Sequence, residues 1–263
     1  MADSMVSAAG ANPRAVAAGE RWFFVWMALI ALAICFAGFL PTYLIPVSSG
    51  SFGRPPLVHL HGLTMFAWLG LFTSQSWLAA TGRMISHRTF GMLGLALATI
   101  GLMLLMTTVV LDTNVAEQRF PELGPVVRAS QGGNVVRSVA FVCLVAAGVM
   151  SVRKTEIHKR LMLVANIVVV APALGRIARV YFLGNPDVPP MPADIVVPMG
   201  IFVLLVSEAL IAALIWHDWR SRGRAHPVSL FGAALVVALN FARPVGELSA
   251  WQSLMQWLQH IGG

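Results

Sequence analysis

Residues 55–91 read PPLVHLHGLTMFAWLGLFTSQSWLAATGRMISHRTFG. An apolar run opens at Pro55-Pro56 with His59 and His61 and carries Gln75 near its end. It then passes through a short Gly82-Arg83 link to His87, which stands at the mouth of the next apolar run. Leu57 to Ala80 is long enough for one membrane crossing, which takes about 20 apolar residues. Polar side chains are costly in hydrocarbon, so each one inside such a run is a candidate for function. His61, Trp68 and Gln75 recur at seven-residue steps. A straight helix drifts by only about 20° per such step, so the three share a face.

The rest of the chain extends this reading. Hydrophobic residues make up 57% and charged residues 11%, against roughly one-quarter charged in soluble domains. The chain therefore reads as an integral membrane protein, and because backbone polar groups must be satisfied inside lipid, as an all-α bundle. Seven transmembrane helices are predicted: 22–46, 57–80, 87–111, 134–152, 158–181, 194–216 and 227–248. Residues 1–21, rich in Ala, Gly and Ser, read as a disordered cytoplasmic tail, and 22–248 as the membrane domain. In 249–263, Trp251, Leu254, Trp257, Leu258 and Ile261 fall at helical spacing, which predicts an amphipathic interfacial helix. The polar stretch 112–133, with Pro121, Gly124 and Pro125, reads as the longest loop.

The formal charge of +7 would point to nucleic acid in a soluble protein, but here it belongs to topology. Nine Lys and Arg fall in the links after the second, fourth and sixth spans, and five at most in the others. The bias places the N-terminus in the cytoplasm and the C-terminus outside, in the inner membrane of a bacterium. The partner this implies is the lipid bilayer, with no nucleic acid. Cys35 and Cys143 sit in apolar runs without metal-type spacing and read as small hydrophobes.

Three basic links end alike: Arg83-x-x-x-His87, Lys154-x-x-x-His158 and Arg222-x-x-x-His226. Each histidine opens a span running outward, so spans 2/3, 4/5 and 6/7 read as three similar hairpins after a lone first helix. His87, His158 and His226 then share one depth. Converging imidazoles could hold a transition metal, or two of them a haem iron, with His61 as a further candidate ligand. Haem b or a transition metal are the candidate cofactors, and quinone or another membrane subunit the candidate partners.

A second constellation is Glu208, Asn166 and Gln75, three polar residues at comparable depth that suit a proton or substrate relay. On the third span, Gly91, Gly94, Ala98 and Gly101 follow His87 at three- and four-residue steps. That small-residue groove admits a neighbouring helix or a flat macrocycle. Arg137, Arg176, Arg179, Asn240 and others near the outer helix ends read as snorkelling anchors, of which a subset could line a pocket for an anionic or quinone-like ligand.

The run His61 to Gln75, followed by Gly82-Arg83, His87-Arg88-x-x-Gly91 and His158-Lys159-Arg160, resembles a family of bacterial multi-pass membrane proteins from which no activity can be carried over. A second similarity is to membrane b-type cytochromes and ferric-reductase-like proteins, which place two haem-ligating histidines on one helix about a bilayer apart. Here Gln75 stands at that distance from His61, which removes the reason to expect two stacked haems.

A retinal protein is excluded because its lysine must lie inside a span, and Lys154 and Lys159 lie in a link. No diiron histidine boxes, phosphate-binding glycine loop or nucleophile elbow occurs. Three function classes remain. They are a redox or haem/metal-handling protein using the histidines, a small proton-coupled transporter using Glu208, and a non-catalytic assembly subunit.

Overall fold

The computed structural model describes residues 13–184 and 193–262. Eight long helices make up the described chain: α1 (Pro13–Phe39), α2 (Pro56–Ala80), α3 (Met84–Arg119), α4 (Gly124–Met150), α5 (Thr155–Leu183), α6 (Ala193–Arg222), α7 (Pro227–Asn240) and α8 (Ser249–Gly262). Seven segments are long and apolar enough to cross a membrane. Large apolar side chains such as Trp26, Leu63, Met92, Met103 and Leu205 face outward, while Trp68, Leu163, Ile167, Ile211 and Leu214 fill the interior. Helices apolar on every face require lipid as their outer solvent. The chain is an all-α, multi-pass membrane protein.

The three expected hairpins pack as neighbours, α2 on α3, α4 on α5 and α6 on α7. The hub is α5, which touches α1, α4, α6 and α7. Its apolar window is 67% buried, against 22–39% for the other spans. Small residues permit the close crossings. A Cβ on Gly38 of α1 would run into the Ala173 carbonyl of α5, and one on Gly132 of α4 into the backbone of Gly246.

Several boundaries differ from the sequence reading. Helix α1 begins at Pro13, so part of the segment read as a tail is helical; residues 1–12 lie outside the described residues. At its far end α1 widens into a π turn, Leu40–Leu44. Pro41 cannot donate to the ladder there, and Thr42 Oγ1 instead donates to Gly38 O at 2.8 Å. The expected long loop 112–133 is mostly helix: α3 runs on to Arg119, and after a 3₁₀ turn at Pro121–Leu123 α4 starts at Gly124. Polar residues here extend two helices beyond the apolar stretch, and no proline interrupts 112–120.

The seventh span is broken. Helix α7 stops at Asn240 after 14 residues, and a 3₁₀ turn, Arg243–Glu247, completes the crossing. Beyond it, α8 is tied to α3 and α4. Trp251 Nε1 donates to Arg128 O at 2.8 Å, and Arg128 Nε donates to Gln252 Oε1 at 2.7 Å. Gln259 Nε2 donates to Glu117 Oε2 at 3.0 Å. Its Leu254 and Trp257 remain exposed and Met255 is buried against the bundle, so α8 carries the predicted amphipathic character.

Candidate functional site

The histidines of the basic links open α3 and α5 and cap α7, all at one end of the bundle. Two of them come together. The His87 and His158 rings lie with centroids 6.3 Å apart and planes at 88°. Each is fixed from behind, since His158 Nδ1 lies 2.8 Å from Gly148 O and His87 Nδ1 lies 3.3 Å from Gln75 O. A carbonyl only accepts, so both rings hold a proton on Nδ1, and in the neutral form the Nε2 lone pair is the free one. This is the tautomer that a metal ligand needs, and an Nδ1–H···O=C bond is the usual device that sets it.

Two further donor side chains lie beside residues that neighbour or anchor the pair. The Gln75 side-chain amide is buried with both Oε1 and Nε2 unpartnered, and Oε1 lies near Gly91, one turn from His87. Met162 Sδ lies against Gly148, the residue that anchors His158. Imidazole with amide oxygen and thioether suits a late first-row transition metal. Among the described residues no group of three His, Cys, Asp or Glu side chains is placed to share an ion; two imidazoles are what the structure brings together here.

His226 does not join them in any described ring contact; it has another role. It is the N-cap of α7, with Nδ1 accepting from Val228 N–H at 3.1 Å. That acceptor role requires a neutral ring. Burial pushes the His226 imidazole below its ordinary 6.5, as do the charges of Arg160 and Arg222, against the opposing pull of Asp218 and Glu156. The native state therefore prefers the neutral ring. This stability is present above about 6.5 and is lost as pH falls through the depressed native value. The expected result is a melting temperature that declines between pH 7 and pH 5 more steeply in the native chain than in His226→Asn, which caps without titrating. Equal slopes would remove His226 from the account.

His61 is separate from the inner pair, near the opposite end of α2. Its Nδ1 is buried without a partner, and its ring lies against the Gly101 backbone. His59 faces elsewhere, 3.1 Å from the Tyr43 hydroxyl and edge-on to Phe52, so the two do not share an ion. Trp68 is 1% exposed with Nε1 unpartnered. The polar face read from the seven-residue steps is thus real and points inward. It packs on the small residues of α3, with Gln75 over Gly91, Trp68 over Gly94 and Met65 over Gly101. Those side chains fill the groove, which leaves that face to helix packing and not to a macrocycle.

No hydrogen bond joins Gln75, Asn166 and Glu208. Asn166 is fully buried in α5 with both amide atoms unpartnered, and Glu208 on the flank of α6 has Oε1 buried and unpartnered. Cys35 is buried as expected, whereas Cys143 is exposed on the outer surface of α4.

The most heavily bonded cluster at the basic end is one that sequence reasoning missed. Arg160, 1% exposed, forms a salt bridge through Nη2 to Asp218, which is 0% exposed. Arg160 Nε donates to the same Oδ1 at 2.9 Å. Asp218 Oδ2 accepts from Ser229 Oγ at 2.6 Å and from His226 N–H at 3.0 Å. Glu156 Oε2 accepts from Arg160 at 2.6 Å and from Arg222 at 2.8 Å. The cluster locks α5, α6 and α7 together. The available signal was a lone carboxylate in the basic run WHDWRSRGRAH, hidden by ending the sixth helix at Trp216.

Compared with family models, curated proteins and solved structures, the chain matches none.

Proposed function

We propose that this chain is a redox or metal-handling protein of the bacterial inner membrane, working through a cofactor held by His87 and His158 at the cytoplasmic end. The observation that carries this reading is the pair of imidazoles anchored through Nδ1, each with a free Nε2. The donor set fits a single transition-metal ion, with Gln75 and Met162 as neighbouring donors. It also fits the iron of haem b in ligand type, but the α3 groove that would admit the ring is already filled by α2. A bound metal would supply one-electron chemistry, and a membrane quinone is the natural exchange partner. The chain's own part is to fix two ring orientations, hold both protons on Nδ1 and shield the site within the helix ends.

The test is metal analysis and an oxidised and reduced absorption spectrum on detergent-purified protein. One transition-metal ion per chain, lost in His158→Ala and weakened at least tenfold in His87→Ala, is the expected result. A colourless, metal-free protein that takes up neither copper, zinc, iron nor haem would sink the proposal.

A second reading, a proton-coupled carrier, draws support from Asn166, buried in the bundle with its amide unpartnered, and from Glu208 on the flank of α6, whose Oε1 is buried without a partner. It expects Glu208→Gln to fold normally and lose transport, whereas an assembly subunit would tolerate every one of these changes.

A further inference from the structure

The last three turns of α6 carry an open groove on the outer surface of the bundle, about 510 Å³ in volume and lined by Ala212, Ile215, Trp216, Trp219 and Arg220. That falls inside the roughly 300–1,000 Å³ of small-ligand sites. The inward faces of α6 pack on α5, α7 and α1, whereas both tryptophans of the groove stay 62% exposed.

The groove continues as a stripe along the helix. Ile201, Leu205, Ala209, Ala212, Trp216 and Trp219 follow one another at three- and four-residue steps and are all exposed, so they share one outward face. Ala209 and Ala212 make a shallow trough between the bulk of Leu205 and Trp216. The span Val197–Arg222 has 26 residues, about 39 Å of helix against a hydrocarbon core of roughly 30 Å. Arg220, two residues from its end, therefore stands in the headgroup layer, and the trough runs from it into the hydrocarbon.

Arg220 is the charged group of the groove. Its guanidinium carbon lies 5.4 Å from the centre of the Trp216 ring, a cation–π contact that holds the side chain and uses none of its N–H donors. No carboxylate among the described residues is within ion-pair distance of it. Arg222, by contrast, is taken up by Glu156 at 2.8 Å. A guanidinium fork matches the paired oxygens of a phosphate, and the two indole N–H groups are donors without acceptor capacity. A held cation and two ring donors at the headgroup layer, above an apolar trough, call for a ligand with an anionic head and a hydrocarbon tail.

We propose that this face of α6 binds an anionic phospholipid of the leaflet at the basic end. Its phosphodiester sits on Arg220 and the indole N–H groups, and one acyl chain lies along Ala212 and Ala209. A zwitterionic lipid brings its own cation to Arg220 and binds more weakly.

Thermal unfolding of the delipidated, detergent-purified chain in mixed micelles tests this. Phosphatidylglycerol is expected to raise the melting temperature by a few degrees over phosphatidylcholine at the same mole fraction, the difference growing with the logarithm of lipid concentration. The preference should vanish in Arg220→Gln and weaken in Trp216→Leu. It should persist in Arg153→Gln, which removes another exposed charge of the same end, and in Trp26→Leu, which removes a tryptophan of equal exposure. Glycerol phosphate, an anionic head without chains, should give no stabilisation. All of these side chains are exposed, so the variants keep the fold. Equal responses to the two lipids, a preference that survives Arg220→Gln or falls as far in Arg153→Gln, or stabilisation by glycerol phosphate overturns the proposal. So does a doubled protein mass that Trp216→Leu returns to a single chain, since a second copy would then cover the face.

Discussion

Asp218→Asn lowers the stability of the chain by about 3–5 kcal/mol, the usual cost of removing one partner from a buried ion pair. The carboxylate accepts four hydrogen bonds, two from Arg160 and one each from Ser229 and the His226 backbone. An amide has one oxygen, and its NH₂ would face donors. Arg160 would keep only Glu156, whose side chain is 43% exposed and whose bonds are screened by water. The paired change Arg160→Met with Asp218→Leu should recover most of the loss, since buried ion pairs replaced together by apolar groups are often neutral. Thermal unfolding of the single and double variants decides it. A single variant as stable as the native chain would show that the cluster contributes nothing to the fold.

Gly246→Ala is the second large effect. Its added methyl would overlap the Ala129 carbonyl, and Gly132 meets the same turn from the other side. Both obstacles are backbone, so no side chain can swing away. Overpacking of this kind costs about 1–3 kcal/mol and sometimes more. The 3₁₀ turn that carries Gly246 also positions α8, because Gln252 Nε2 donates to Gly246 O at 2.7 Å. The expected outcome is release of α8, read as new protease cleavage between Leu248 and Trp257 together with a lower melting temperature. Gly70→Ala serves as the comparison, since nothing lies within 4 Å of the Cβ it would add. It should be neutral or stabilising by about 1 kcal/mol through helix propensity. Cleavage patterns alike in both variants would refute the close approach at Gly246.

The spans were legible because hydrocarbon imposes a length and a composition, and both are visible in one dimension. The inward face of α2 was legible for a related reason: His61, Trp68 and Gln75 fall on a helical period. Pairing across helices leaves no such trace. His87 meets His158 but not, in any described ring contact, His226, although all three links have the same spacing. The deciding facts are that α5 is the hub and that His226 is occupied with capping α7. The break after Asn240 was also hidden, because residues 227–248 remain apolar and the interruption serves tertiary contacts of Gly246 and Arg137. Asp218 escaped for want of a boundary; six more residues of helix carry it to the buried face.

The central position of α5 has a consequence during synthesis. Arg160 and Asp218 are 58 residues apart, and at about 5–20 residues per second the ribosome needs on the order of 3–12 s to supply the second after the first. Throughout that interval the nascent chain carries an arginine at the mouth of its most interior helix with its final partner not yet made. Glu156, one turn earlier on the same helix and 2.6 Å from the guanidinium, emerges before Arg160 and can chaperone the charge until Asp218 arrives.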